Sequence, residues 1–220
     1  MLKLDNIHVQ INNKSILHDL SLHVNPHESV GIIGKNGAGK TTLFEIICGI
    51  RLIDDGFIHF LDKQPKDRHY SSHLFFVPDD SLVYEYLTAS EYINFVSRLY
   101  NKKLDSIEIN TMLSFFELDY LSNKLIRYYS KGMKMKLAIS LALLLKPQLL
   151  ILDEPFNGLD PSSCIKLVQK LKEFLQFGSV LFSSHTLDFV EELSHSTYLL
   201  QNQQLTNVTT ENLKELFTDD

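Results

Sequence analysis

The sequence predicts an α/β fold: a core with a mostly parallel sheet, an antiparallel β subdomain at the N-terminus and an inserted helical subdomain. Apolar and polar residues alternate on both sides of Asn12-Asn13, as in an antiparallel hairpin. Two apolar runs, Ser29–Ile33 and Leu149–Leu152, are typical of parallel strands buried on both faces, and helical spacing replaces the strand pattern between them. One domain is therefore predicted over 1–220, with its core in 1–78 and 147–220 and the helical insert in 79–146.

The elements before the insert follow one another in a regular order. Leu2–Ile11 and Ile16–Val24 are predicted to be the two strands of the hairpin. Asp54-Asp55-Gly56 is predicted to be a turn, because Asp and Gly favour turn conformations. The other elements are predicted to be a strand, a helix and two further strands, at Ser29–Ile33, Thr41–Cys48, Phe57–Leu61 and Leu74–Val77.

The insert is predicted to be helical from its capping signals. A capping box occupies 88–91, at the start of a helix that runs toward Tyr100. Ser130 is a suitable N-cap for a long helix that continues to Leu145 and stops before Pro147. Shorter helices are predicted at 105–116 and 120–125. After the insert, strands at 149–152 and 179–183 alternate with helices at 162–176 and 187–193.

A phosphate-binding motif lies between the strand that ends at Ile33 and the helix that follows it. The segment matches GxxxxGK[ST], whose glycines let several backbone N–H groups converge on an anion at a helix N-terminus. Lys40 is expected to neutralise the β- and γ-phosphates, and the Thr41 hydroxyl is expected to ligate Mg²⁺. The predicted nucleotide-binding residues are Gly34, Lys35, Asn36, Gly37, Ala38, Gly39, Lys40, Thr41 and Thr42. The core is therefore predicted to be that of a P-loop NTPase.

Two carboxylates follow the second apolar run, where an α/β sheet places its ligands. Asp153 is expected to hold Mg²⁺, directly or through water, and Glu154 to orient or deprotonate the attacking water. Many strands end in acidic residues, so this pair indicates a functional site only in combination with the phosphate loop. Together the two motifs indicate a nucleoside triphosphatase.

Composition limits the possible partners. The 220 residues carry a net charge of −6, which argues against a general nucleic-acid-binding surface. Cys48 and Cys164 fall in predicted helices rather than at metal-site spacing, and are expected to be reduced thiols of a cytosolic protein. The sequence has no apolar run of about 18 residues and no signal-peptide core, so the chain is expected to be soluble and to act at a membrane only through a partner.

The segment that begins at Tyr129 separates one family of NTPases from the others. Its Ser N-cap and glycine form a second anion site at a helix start, one that a second copy of the chain can use. The sequence resembles the nucleotide-binding subunits of ATP-binding-cassette (ABC) transporters across nearly its whole length. In that family the segment is the signature motif, LSGGQ, which contacts the γ-phosphate bound to the opposite subunit. Ser130 and Gly132 match it, whereas Lys131 and Met133 depart from it. The Ser-Lys-Gly-Met form resembles a branch common among bacterial exporters of drugs, antibiotics and peptides.

The resemblance implies further roles. Asp160, in Asn157-Gly158-Leu159-Asp160-Pro161, is similar to the family's D-loop aspartate, which communicates across the dimer. His185 resembles the switch histidine, placed to donate to the γ-phosphate. The segment 87–91 lies where family members receive a coupling helix from the membrane subunit, although the capping box explains it equally well.

Two further positions, outside the signature motif, depart from the family pattern. Ile11 stands where an aromatic residue usually stacks on adenine; it covers the ring but lacks the stacking term of ~0.5–1.5 kcal/mol, so loose base selectivity is expected. Asp79 stands where the family usually has Gln, and is expected to hold Mg²⁺ or its water while adding negative charge near the phosphates. Glu154 and His185 are both present, which predicts an active ATPase.

The resemblance thus implies that two nucleotide-binding subunits, identical or different, enclose ATP and Mg²⁺ between them. Polytopic membrane permease subunits would be the other partners, holding the chain at the cytoplasmic, inner face of the cell membrane. Two other functions share parts of the pattern. A soluble ABC-type ATPase without a transport role usually carries fused cassettes or long inserts, and a phosphoryl-transferring kinase would leave the Ser130 helix start unexplained.

Overall fold

The computed structural model describes residues 1–80, 83–118 and 124–209, and these contain nine strands and six α-helices. The strands are β1 (Leu2–Ile11), β2 (Lys14–Val24), β3 (Ser29–Ile33), β4 (Asp55–Phe60), β5 (Leu74–Val77), β6 (Leu149–Leu152), β7 (Ser179–Ser183), β8 (Ser196–Gln201) and β9 (Gln204–Asn207). The helices are α1 (Lys40–Ile47), α2 (Ala89–Leu99), α3 (Ser106–Phe115), α4 (Lys131–Leu145), α5 (Pro161–Phe174) and α6 (Leu187–Leu193), with short 3-10 turns at Ser71–His73 and Ile126–Tyr128.

The N-terminal sheet is antiparallel, in the order β2-β1-β4. Asn12 and Asn13 form the turn between β1 and β2, with φ of 51° and 62°. Asn tolerates this left-handed conformation, which gives a two-residue turn the twist that a hairpin needs. The predicted antiparallel subdomain is therefore confirmed.

The core sheet has six strands in the order β5-β6-β7-β3-β8-β9, and all but β9 are parallel. Every residue of β3, β6 and β7 is buried, as expected for strands covered on both faces. The mostly parallel α/β core predicted from the apolar runs is confirmed. Because β6, β7 and β3 are neighbours, their carboxyl ends place three loops side by side.

The insert helices begin where the capping signals predict. Thr88 and Glu91 form the reciprocal capping box of α2, and Ser130 Oγ accepts a hydrogen bond from the backbone N–H of Met133 at the start of α4. Helix α4 is buried along most of its length and packs against α2, α3 and β5. Most of the helix predicted at 120–125 lies outside the described residues.

The C-terminal hairpin is the main feature that the sequence patterns did not predict. β8 and β9 pair across Asn202 and Gln203, which have φ of 51° and 70°. The turn contains no Gly or Pro, so it lacks the usual sequence signal of a hairpin. No helix among the described residues has the length and apolar character to cross a membrane.

Candidate active site

The phosphate loop joins β3 to α1 and provides a helix start without a side-chain cap. Gly37 and Gly39 have φ of 79° and 109°, a region that is strained for any residue with a side chain. Gly39 is the N-cap of α1 and supplies no side-chain acceptor, so the first N–H groups of the helix are left for an anion. The loop therefore has the backbone geometry of a phosphate cradle.

The turn between β8 and β9 lies beside this loop. A Cβ at Gly34 would lie only 2.6 Å from the Leu200 carbonyl oxygen, so the start of the loop accepts only glycine. A cavity of about 300 Å³ separates the two segments; its lining is Lys35, Asn36, Gly37, Ala38, Leu199, Leu200, Gln201 and Asn202. Thr42 is half-buried in the first turn of α1.

Lys40 is buried at the base of the loop, with 7% of its surface exposed. Its Nζ donates a hydrogen bond to the carbonyl oxygen of Gly34 at 2.7 Å and lies 3.3 Å from Glu154 Oε1. A buried ammonium needs such partners, because an unpaired charge in the interior is costly. The lysine is thus held at the point where the loop and the carboxylate strand meet.

The hydroxyl of Thr41 and the carboxylate of Asp153 come together from segments 112 positions apart. Thr41 Oγ1 donates to Asp153 Oδ2 at 2.5 Å. Oxygen ligands of these two types are the ones that Mg²⁺ prefers, so their convergence fits the predicted metal site. Glu154 is buried beside them, and its Oε1 accepts no hydrogen bond from the described residues although the Lys40 ammonium is near.

Ser183 connects the two carboxylate residues, a role that the sequence patterns did not predict. It is the last residue of β7; its Oγ donates to Asp153 Oδ1 at 2.6 Å and accepts from the Glu154 backbone N–H at 2.8 Å. The sequence signal for this contact is only a Ser at the end of another predicted strand. The strand order is needed to show that this strand is next to the carboxylate strand. Ser183 therefore orients the metal-side carboxylate and the backbone of Glu154 together.

Replacing Ser183 by Ala is expected to leave a buried carboxylate oxygen and a buried N–H group with one partner fewer. Losing such partners costs ~1–3 kcal/mol, so the free energy of unfolding should fall by about that amount. Denaturant unfolding of Ser183→Ala beside Ser162→Ala, an exposed serine on α5, measures the difference. Equal unfolding midpoints for the two variants would contradict the role given to Ser183.

Glu154 has an unusual backbone conformation and a histidine partner. Its φ is 49°, a left-handed conformation that costs energy for a residue with a long side chain and that occurs often at functional sites. His185 Nδ1, in the loop after β7, lies 2.9 Å from Glu154 Oε2. The imidazole is 60% exposed, so its other nitrogen can reach a ligand in the site. The structure thus joins Glu154, His185 and Lys40, the three predicted catalytic residues.

The signature segment lies at the start of α4, against the chain's own D-loop. A Cβ at Gly132 would strike the Gly158 carbonyl oxygen, so glycine is required there. Asp160 is the N-cap of α5, and hydrogen bonds from Ser163 and Ser162 hold the pKa of its carboxyl well below the usual range. These contacts are within one chain, so the roles predicted in trans for Ser130, Lys131, Gly132, Met133 and Asp160 remain predictions.

Ile11 and Asp79, which depart from the family pattern outside the signature motif, belong to different elements. Ile11, at the end of β1, is half-buried, and like Ile16 and Ala38 it packs against the apolar core that the N-terminal sheet shares with α1. The contact to the base predicted for Ile11 remains a prediction. Asp79 follows β5 with Pro78, and its Oδ1 accepts hydrogen bonds from Lys131 and Asn157. The metal role predicted for Asp79 remains a prediction.

A phosphate cradle with a buried lysine, next to a hydroxyl–carboxylate pair and a second buried carboxylate, defines the nucleotide site of a P-loop nucleoside triphosphatase. The family model for ABC transporters matches residues 17–157. The chain belongs to the ABC transporter family, as an ATP-binding subunit. The sequence-based resemblance to this family is confirmed, and the protein is an ATPase.

Individual relatives agree with this assignment. The uncharacterized ABC transporter ATP-binding protein YxlF of Bacillus subtilis (strain 168) is 33% identical over 231 residues, covering 98% of this chain and 77% of that protein. A solved ATP-binding subunit of an ABC transporter superimposes with a TM-score of 0.88 at 29% identity, covering 99% and 93% of the two chains. A dimeric, post-hydrolysis ATP-binding cassette bound to ADP and Pi has a TM-score of 0.85 at 20% identity, with 96% and 99% covered, and shows the shared fold.

Proposed function

We propose that this protein is the ATP-hydrolysing motor subunit of a bacterial ABC transporter, which binds Mg-ATP between two nucleotide-binding subunits and drives separate membrane subunits. The observation that carries the proposal is the assembly of Lys40, Thr41, Asp153 and Glu154 at one edge of the core sheet. Nearly all of the groups that ATP hydrolysis needs converge there within a single chain.

The hydrolytic step follows from the positions of these side chains. Mg²⁺, held by Thr41 Oγ1 and Asp153, would supply charge neutralisation to the phosphates. Glu154 accepts a proton from the attacking water while the water oxygen bonds to the γ-phosphorus and the bond to the β-phosphate oxygen breaks, which releases ADP and phosphate. Lys40 and His185 stabilise the negative charge that spreads over the γ-phosphoryl oxygens.

The dimer part of the proposal explains the second anion site. The start of α4 is a helix N-terminus with a Ser cap, which favours an anion, and a second copy would place its own γ-phosphate there. A bound ATP then joins two chains, and hydrolysis removes that bridge. Support comes from the similar cassette that is described as dimeric with ADP and Pi.

The membrane part of the proposal places the chain at the inner face of the cell membrane, bound to polytopic permease subunits, with the cytosol as its compartment. The family assignment and the ABC transporter relatives support this arrangement. The Ser-Lys-Gly-Met signature favours an exporter among the possible transporters.

Co-purification from the native membrane tests the proposal. A tagged chain should recover a polytopic membrane protein, and the ATPase rate of the complex should exceed that of the isolated chain. A Glu154→Gln chain, which would stay in the ATP-bound form, should retain the partner better than the parent does. Recovery of ribosomes or DNA-repair factors instead of a membrane protein would favour a non-transport ABC-type ATPase.

A further inference from the structure

Asp79 and Lys131 come from two different parts of the chain and meet as an ion pair. Asp79 lies in the loop that leaves β5, and Lys131 is the first residue of α4. Lys131 Nζ donates to Asp79 Oδ1 at 2.9 Å, and the same oxygen accepts from Asn157 Nδ2 at 3.4 Å. One carboxylate oxygen therefore joins the loop after β5, the signature turn and the D-loop.

The packing around the ion pair brings the same three segments together. Gly132 lies so close to the Gly158 carbonyl that a Cβ has no room between them, and the stem of Lys131 also lies close to Gly158. On the core side, the backbone N–H of Asp153 donates to the carbonyl of Val77 at 2.9 Å, which ties the end of β5 to the carboxylate strand. The ion pair thus closes a chain of contacts from the carboxylates to the signature turn.

The positive charge of Lys131 is unfavourable in the first turn of α4, unless an anionic group pairs with it. A cation in the first turn opposes the helix dipole, which favours negative charge at that end. The hydrogen bond to Asp79 raises the pKa of Lys131, because it favours the charged ammonium. The side chains are 48% and 40% exposed, and pairs that are this exposed add little to stability. We therefore look for the role of the Asp79–Lys131 pair in the orientation of the segments that it joins, rather than in stability.

We propose that the Asp79–Lys131 ion pair positions the signature turn: it holds the turn in a fixed relation to the chain's own carboxylate strand, ready to meet a phosphate bound by a second copy of the chain. The inference rests on the proposed function and gives Asp79 a task other than metal binding. It also accounts at once for the departures from the family pattern at Asp79 and at Lys131. A neutral residue at either position could not form this pair.

A double-mutant cycle tests the proposal with the variants Asp79→Asn, Lys131→Gln and the two combined. Each single variant should lower kcat for ATP by about twofold to fivefold, the range expected for a partly exposed pair, with KM and the melting temperature unchanged. The combined variant should be no slower than the slower single variant, because the second change has no pair left to break. Effects that multiply would mean that the two residues act separately, and would overturn the proposal.

Two matched control variants distinguish the loss of the Asp79–Lys131 ion pair from the loss of any nearby charge. Asp80 lies 3.7 Å from the same ammonium but is 97% exposed, so Asp80→Asn should hydrolyse ATP at the parent rate. Lys134 is on the same helix and pairs with Glu85, within the insert, so Lys134→Gln should also match the parent. A loss as large in these controls as in Asp79→Asn would contradict a specific role for the pair.

Amide hydrogen exchange without nucleotide distinguishes failure of this inference from failure of the proposed function. The N–H groups of Met133 and Lys134 bond to Ser130 in the signature turn. Their exchange should become about twofold to fivefold faster in Asp79→Asn and should be unchanged in Asp80→Asn. If the parent chain hydrolysed no ATP, the proposed function would be refuted. The exchange measurement would still test the role of the ion pair, because it needs no ATP hydrolysis. Equal exchange in Asp79→Asn and the parent would overturn the inference.

Discussion

Replacement of Glu154 by Gln is expected to slow ATP hydrolysis at least ~10²-fold, as for loss of a general base, while ATP still binds. Glu154 is the buried carboxylate whose Oε1 lies beside Lys40 and whose Oε2 lies beside His185. The amide cannot accept the proton of the attacking water. Single-turnover phosphate release, measured together with nucleotide affinity, checks both parts of the prediction.

The same substitution should strengthen ATP binding. The carboxylate of Glu154 lies 3.3 Å from Lys40 Nζ, so it competes with the phosphates for that ammonium and repels their charge. The neutral amide removes both effects, and the variant should accumulate as an ATP-bound dimer. Glu192→Gln, on α6 and paired with Lys172, is the matched control and should behave as the parent. Turnover of Glu154→Gln at the parent rate would show that another group activates the water.

Replacement of Gly132 by Ala is expected to abolish ATP-driven dimerisation and to lower hydrolysis by more than about tenfold, a loss of transition-state stabilisation above ~1.4 kcal/mol. The added methyl group would strike the Gly158 carbonyl oxygen, so the signature turn and the D-loop must move apart. The phosphate loop is untouched, so a single chain should bind nucleotide as well as the parent does. Light scattering with and without ATP, together with nucleotide titration, measures the two properties separately.

Mixing Gly132→Ala with Lys40→Ala should recover activity if the site is shared between two chains. One of the two sites in such a heterodimer combines an intact phosphate loop with an intact signature turn. The recovered rate should approach about half that of the parent when one site can act alone, and less when the sites are coupled. No recovery at any mixing ratio, with both variants folded, would argue against a site built from two chains.

Local patterns predicted the parts of the site that lie in one short segment. The phosphate loop needs glycines, a lysine and a hydroxyl within a few positions of a strand and a helix, and all of these are visible in Gly34–Thr42. The hairpin at Asn12-Asn13 and the Ser130 cap are equally local. Each of them is determined by neighbours in sequence, so a pattern can find it.

The parts that the sequence did not reveal depend on the order of strands and on long-range packing. Ser183 meets Asp153 because β6 and β7 are adjacent, and nothing in the sequence states that adjacency. The contact of Asp79 with Lys131 was not predicted either, because it joins residues 52 positions apart in the sequence. The hairpin of β8 and β9 was missed because Asn202-Gln203 adopts its turn without glycine.

The C-terminal hairpin also determines where the chain can be truncated or fused to a reporter. β9 is the antiparallel edge of the core sheet, and the Gln203 carbonyl in its turn accepts a hydrogen bond from the His18 backbone N–H of β2. A shortened product that stopped at Gln201 would lose both contacts and leave β8 as a bare parallel edge, open to pairing with other chains. Such a product would also lack Asn202, which lines the cavity beside the phosphate loop. Reporter fusions therefore belong beyond Asn207, not within the hairpin.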